Sequence, residues 1–144
     1  MKEHDAMYHD CSLAVFKTNF GWAGIAVSEW GICKIVLPEK DKNAVKKALL
    51  SETGAISPIS NSKLIEQAVK LLQKYFSGER VLFDLPLDLR YHTHFQRAVW
   101  RAAVEIPYGE TRAYAWIAKR IKSSRAARAV GQAMGANPIP IIIP

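Results

Sequence analysis

Few side chains in this chain of 144 residues could carry chemistry, and they fall into two groups. The first is the run RAARAVGQAM over residues 125–134, in which guanidinium and carboxamide groups stand among alanine and glycine. At 100° per residue, Ala126, Ala127, Val130 and Met134 share one side of a helix, which can pack on a neighbour. The opposite side carries Arg125, Arg128, Ala129, Gln132 and Gly135. A major-groove reader needs several long hydrogen-bonding side chains, and this side does not supply them. A nearly bare backbone around one or two arginines suits close approach to a narrow groove, with an arginine reaching between base pairs. Close helix packing accounts for Ala126 and Ala127 but leaves the outward face bearing Arg128 unexplained.

The second group is Cys11 and Cys33 with His4, His9, His92 and His94. Two cysteines make no disulfide framework, which fits an intracellular, cytoplasmic protein. Cys11 is expected in a polar N-terminal tail, and Cys33 on a strand as a small buried hydrophobe. A zinc site drawn from these cysteines and histidines matches no standard ligand spacing, so no metal is expected.

The elements that must position these residues differ along the chain. Leu13–Phe16 is a strand candidate, and Trp22–Ser28 with Ile32–Leu37 flanks Glu29-Trp30-Gly31 as a hairpin. Ala44–Leu50 predicts a short helix. Asn61 or Ser62 can cap another, with apolar positions Leu64, Ile65, Ala68, Leu71, Leu72, Tyr75 and Phe76 and a stop at Gly78. Val81–Leu87 alternates as a strand, and Pro86 places it at an edge. Beyond the connector at Arg90–Thr93 the pattern is helical. Thr93 caps a helix whose stripe is Phe95, Ala98, Val99, Ala102 and Ile106, closed by Pro107-Tyr108-Gly109. Thr111 is expected to cap the next, with Tyr114, Ile117, Ala118 and Ile121 buried. Lys122-Ser123-Ser124 is read as the turn and cap before the final helix. Two short helices joined by a tight turn, the second rich in arginine, read as helix-turn-helix. Ile139–Ile143 reads as an apolar strand that must be covered.

Charge supports the division. Residues 1–89 hold eleven Lys/Arg and eleven Asp/Glu, while residues 90–144 hold nine Lys/Arg against two acids, Glu105 and Glu110. The whole excess of +7 therefore lies in the last third or so of the chain, the footprint of a polyanionic partner. Nearly half the residues are apolar, enough for a real core. No apolar run approaches the ~18 residues of a membrane span, and the polar start MKEHDAMYHD has no signal-peptide core.

FQRAVW (95–100), IPYGETRAYAWIA (106–118), ARAVGQAM (127–134) and NPIPIIIP (137–144) closely resemble the O6-alkylguanine-DNA alkyltransferase family, the methylated-DNA–protein-cysteine methyltransferases. The N-terminal half agrees more loosely, through its strands, KYFSGE and FDLPLDL. His92-Thr93-His94 departs from the small residue and proline usual before the Phe-Gln pair. The resemblance implies an α+β chain: a small ribonuclease H-like α/β domain over 1–89, then a helical, winged helix-turn-helix-like DNA-binding domain over 90–144. It implies a monomer that binds the minor groove of double-stranded DNA containing alkylated guanine and is nucleoid-associated when bound.

The same resemblance assigns roles. Tyr114 would meet a phosphate and help rotate the target nucleotide out of the duplex, and Arg128 would fill the vacated space. Ala127, Ala129 and Gly131 would let the helix sit in the minor groove, with further contacts from Gln96, Ser123, Arg125 and Gln132. Asn137 would hold the turn toward the active-site strand, supported by Pro138 and Pro144. The implied reaction is direct reversal of O6-alkylguanine or O4-alkylthymine damage, without a cofactor, by a cysteine that keeps the alkyl group. That cysteine, followed by His-Arg-Val, is expected directly after Pro144, and a selenocysteine encoded by UGA is one form it could take. The 144 residues alone are therefore expected to transfer nothing. The competing reading is a non-catalytic relative that binds and flips alkylated guanine.

Overall fold

The computed structural model describes residues 11–53, 63–107 and 109–144, without the side chain of residue 52. They form two compact units, Met1–Asp88 and Leu89–Pro144. Asn61 and Ser62, His4 and His9, and Tyr108 lie outside the described residues.

In the first unit, β1 (Ser12–Thr18), β2 (Gly21–Ser28) and β3 (Gly31–Glu39) form an antiparallel meander in the order β1-β2-β3. Leu13 faces Ala26, Phe16 faces Ala23, and Ile25 faces Ile35 across the ladders. Side chains alternate across a sheet, so β2 offers Gly24 and Ala26 to one face and Ala23, Ile25 and Val27 to the other. Ala23–Val27 contains no polar residue because both faces of this central strand are covered. Two helices supply that cover: α1 (Lys42–Thr53) packs on all three strands, and α2 (Lys63–Phe76) packs on β1 and β2. Val45 and Leu49 of α1 close a core with Cys11, Leu13, Ala26 and Cys33. Full burial of such aliphatic side chains stabilises by roughly 1.5–3 kcal/mol each.

The expected strand at Val81–Leu87 does not form a ladder. Its alternation is real, with Leu82 85% exposed, but it meets β3 only at Ile32. There Ile32 N–H donates to Pro86 O at 2.9 Å, and Asp88 N–H donates to Ile32 O at 2.8 Å. Pro86 has no N–H to extend the pairing. This strap approaches Gly31 so closely that a Cβ there would stand 2.6 Å from Pro86 O, so residue 31 must be glycine.

The second unit consists of α3 (His94–Val104), α4 (Tyr114–Arg120) and α5 (Ala127–Gly135). Thr93 caps α3 as expected: its Oγ1 accepts from Gln96 N–H, and Gln96 Oε1 accepts from Thr93 N–H. Thr111 does not cap α4. Ala113 occupies that position in an extended conformation with no side-chain cap, while Arg112 bonds Thr111 O and Glu110. The chain is thus held in a loop through the turn that Thr111 would have begun. Nor do Ser123 and Ser124 cap α5, whose N-cap is Ala126. Ser123 instead closes α4, its N–H donating to Ala118 O at 2.8 Å, with Lys122 left-handed at φ 61°.

The apolar strand expected over Ile139–Ile143 is instead a tight turn. Ile143 N–H donates to Ile139 O at 3.0 Å, and Ile141 takes a left-handed φ of 79°. Ile139, Ile142 and Ile143 are buried, so the sequence was right that this run is covered and wrong about its shape.

Candidate nucleic-acid interface

Helix α5 is the element on which the candidate residues converge. Val130 and Ala133 are buried, and Ala126, Ala127 and Met134 half-buried, against α3 and α4. Arg125, Arg128, Ala129, Gln132 and Gly135 are all exposed, so the bare outward side read from the sequence is present. Gly135 has nothing within 4 Å of where a Cβ would be. That side offers two guanidinium groups and a carboxamide beside almost naked backbone.

Trp100, on α3, sets the position of α5. Its ring is fully buried, and its indole N–H donates to Ala133 O at 2.9 Å. The His92 ring meets it edge-on, with centroids 4.8 Å apart. The helical stripe read from sequence passed over Trp100. An indole is large and carries one obligatory donor, which was the available signal that it is buried against a backbone carbonyl. A second tie joins α3 to α4: the Arg120 guanidinium makes two hydrogen bonds to Glu105, at 2.9 and 3.1 Å. This pairing, mainly its hydrogen bonds and then the carboxylate charge, holds Arg120 protonated above its ordinary value.

Tyr114 departs from the expected buried stripe. It is 50% exposed at the start of α4, while Ile117 and Ala118 supply the buried contacts and Ile121 is half-buried. Its ring lies against α5 at Gly131. Ser123 sits half-buried in the α4–α5 turn, close in sequence to exposed Arg125. Gln96 is committed to the α3 cap and is half-buried, so its carboxamide oxygen is already engaged.

Asn137 fixes the turn after α5. Its Nδ2 donates to Ile143 O at 2.7 Å, and its Oδ1 accepts from Ile139 N–H at 2.8 Å. One carboxamide thus satisfies both sides of a turn that Ile141, a β-branched residue at positive φ, would otherwise resist. Pro138 is buried beside it and Pro144 is exposed.

The cysteines belong to the first unit. Cys11 was expected in a polar tail; it is fully buried, with its Sγ 3.7 Å from that of Cys33. The apolar core that packs Leu13 one position on from Ser12 draws Cys11 in with it. Cys33 Sγ also approaches Gly31 O at 3.7 Å and Asp88 Oδ2 at 3.9 Å, and Ser28 Oγ donates to the same carboxylate oxygen at 2.6 Å. The hydrogen bond with Cys11, burial, and the charges of Cys11 and Asp88 push the Cys33 thiol far above its ordinary range, against a smaller opposing effect of Ser28. A thiol so held is a poor nucleophile. Among the described residues there is no cluster of three or more His, Cys, Asp and Glu able to hold a metal. No described helix is long and apolar enough to cross a membrane.

Comparison with known proteins adds the following. Residues 13–89 match the ribonuclease-like domain, and residues 94–144 the DNA-binding domain, of 6-O-methylguanine DNA methyltransferase. A methylated-DNA–protein-cysteine methyltransferase of Mycolicibacterium paratuberculosis is 54% identical over 84 residues, 58% of this chain and 50% of that protein. The chain thus spans about half the length of such mycobacterial relatives. The constitutive enzyme of that name from Bacillus subtilis is 39% identical over 132 residues, 89% of this chain and 74% of the relative. Among solved structures, Mycobacterium tuberculosis OGT in complex with DNA superposes with a TM-score of 0.71 at 36% identity, covering 92% of this chain and 74% of that one.

Proposed function

Since the chain belongs to the 6-O-methylguanine DNA methyltransferase family, we propose that it serves direct reversal of alkylation damage in duplex DNA. A methyl or larger alkyl group passes from O6 of guanine, or O4 of thymine, to a protein cysteine. The alkyl carbon–oxygen bond breaks as the carbon–sulfur bond forms, and the proton given up by the thiol goes to the ring nitrogen of the base. No cofactor takes part, and the protein acts as a monomer.

The observation that carries this reading is the outward side of α5, where Arg128 stands exposed between Ala127 and Ala129 with Tyr114 alongside. Such a surface can enter a minor groove, and a planar cation can stack in the space left by a rotated base. Tyr114 contacts the phosphate of the target nucleotide. Ser123, Arg125 and Gln132 add contacts along the backbone, and Gln96 contributes through its amide nitrogen. The Asn137 turn, with Pro138 and Pro144, presents the acceptor. Cys11 and Cys33 are not acceptors, because both are buried and the Cys33 thiol resists ionisation.

The test is equilibrium binding of the 144-residue chain to duplexes with and without one O6-methylguanine, beside a single-turnover transfer assay. Expected are preferential binding of the alkylated duplex, weakening with salt, and no transfer by these residues alone. Arg128→Ala should lower affinity at least about tenfold, ~1.4 kcal/mol, with no change in thermal midpoint. Equal binding of both duplexes, or methyl transfer mapped to Cys11 or Cys33, would overturn the reading.

A further inference from the structure

We infer that Gly131 is a positioning residue for Tyr114: its missing side chain is the seat of the tyrosine ring. This rests on the DNA-binding reading above but is a different statement from groove access. A Cβ built at residue 131 would stand 3.0 Å from Tyr114 Cε2 and 3.2 Å from Cδ2. Carbon–carbon contact is normally about 3.5–4.0 Å, so a methyl group there fits only if the ring shifts by a few tenths of an ångström.

The backbone does not demand glycine there. Residue 131 lies inside α5, and only Gly21, Gly31, Gly78 and Gly109 among the described glycines have positive φ. Glycine is the worst helix former after proline, so one at mid-helix needs a reason in its surroundings. Gly135, one turn on, shows the contrast, since a Cβ there would meet open space. Two glycines on one helix thus answer different needs: Gly135 leaves the outward surface bare, while Gly131 accommodates a neighbour.

The consequence falls on Tyr114. Among the described residues its hydroxyl has no hydrogen-bond partner, and half of the side chain is exposed. A long aromatic side chain in that situation would sample several rotamers, and ordering it would weaken binding. Resting the ring edge in the notch at Gly131 limits those rotamers before any DNA arrives. A methyl group at 131 would push the ring aside, and the displacement grows toward the hydroxyl.

A double-mutant cycle with an O6-methylguanine duplex at low salt tests this, using the full chain, Gly131→Ala, Tyr114→Ala and the double variant. Gly131→Ala should weaken binding about fivefold in the wild-type background and less than about twofold once the ring is gone. An equal loss in both backgrounds would mean that Gly131 faces the DNA directly, and would overturn the inference. Two readouts without DNA keep this separate from the DNA-binding reading. Gly131→Ala should lower the thermal midpoint while Tyr114 is present and raise it in the Tyr114→Ala background, where alanine is simply the better helix former. In ring-labelled protein, Gly131→Ala should shift the Tyr114 resonances and Gly135→Ala should not. Unmoved resonances in Gly131→Ala would also overturn the inference.

Discussion

The two units solve the same problem, holding a fold together, with different materials. The first unit relies on a sheet whose central strand is buried on both faces and on aliphatic contacts from α1 and α2. Its polar interior groups are turned on one another: Ser28 on Asp88, Cys11 on Cys33. The second unit has three short helices and a turn, and directed hydrogen bonds complete it. The Trp100 indole grips Ala133 O, and the Asn137 carboxamide grips both sides of the last turn. Small helices bury little apolar area, so single well-placed polar clamps carry a larger share. That leaves the outer side of α5 free of structural duty, and there the charge and the bare backbone collect.

Trp100→Ala should break this contrast most severely. It removes a fully buried ring and one of the hydrogen bonds to Ala133 O, costing about 3–5 kcal/mol, read as a lower denaturant midpoint and faster amide exchange in α5 than in β2. Equal acceleration in both units would show that they do not differ as argued. Asn137→Ala should come next, at roughly 2 kcal/mol, since Ile139 N–H and Ile143 O lose their shared partner. Loss of amide protection at Ile139 is the local readout.

The first unit should reveal itself through pH. Its Cys33 thiol keeps its proton when folded, whereas the unfolded chain releases it near pH 8.5. The folded-state value is the raised one, so the stability it contributes is complete below about pH 8.5. It declines above that at up to ~1.4 kcal/mol per pH unit. Cys33→Ala should flatten that alkaline decline in chemical denaturation, and an unchanged slope would remove the buried thiol as its source. Smallest of all should be Glu105→Gln. The Arg120–Glu105 pair is solvent-exposed, so its loss should leave the thermal midpoint nearly unmoved at physiological salt.

Much of this was legible because local chemistry was sufficient. The hairpin around Glu29-Trp30 and the Thr93 cap follow from patterns of a few residues, and the sidedness of α5 from helical periodicity. The misreadings share one cause. Val81–Leu87 and Ile139–Ile143 have strand composition, but a strand needs a neighbour to pair with, and composition names none. Cys11 reads as tail because its flanks are polar, yet the core behind β1 claims it. Gln96 carries a second duty that its three-residue spacing from Thr93 already announced, as the partner in the α3 capping box.

By itself, then, the sequence determined the sidedness of α5 and the confinement of the excess positive charge to the second unit. Periodicity and charge are properties of the chain and survive any packing. Only the tertiary structure decided what each small residue is for. Whether a missing side chain exposes backbone, as at Gly135, or seats a ring, as at Gly131, depends on the neighbouring helix, which no spacing along one helix can report.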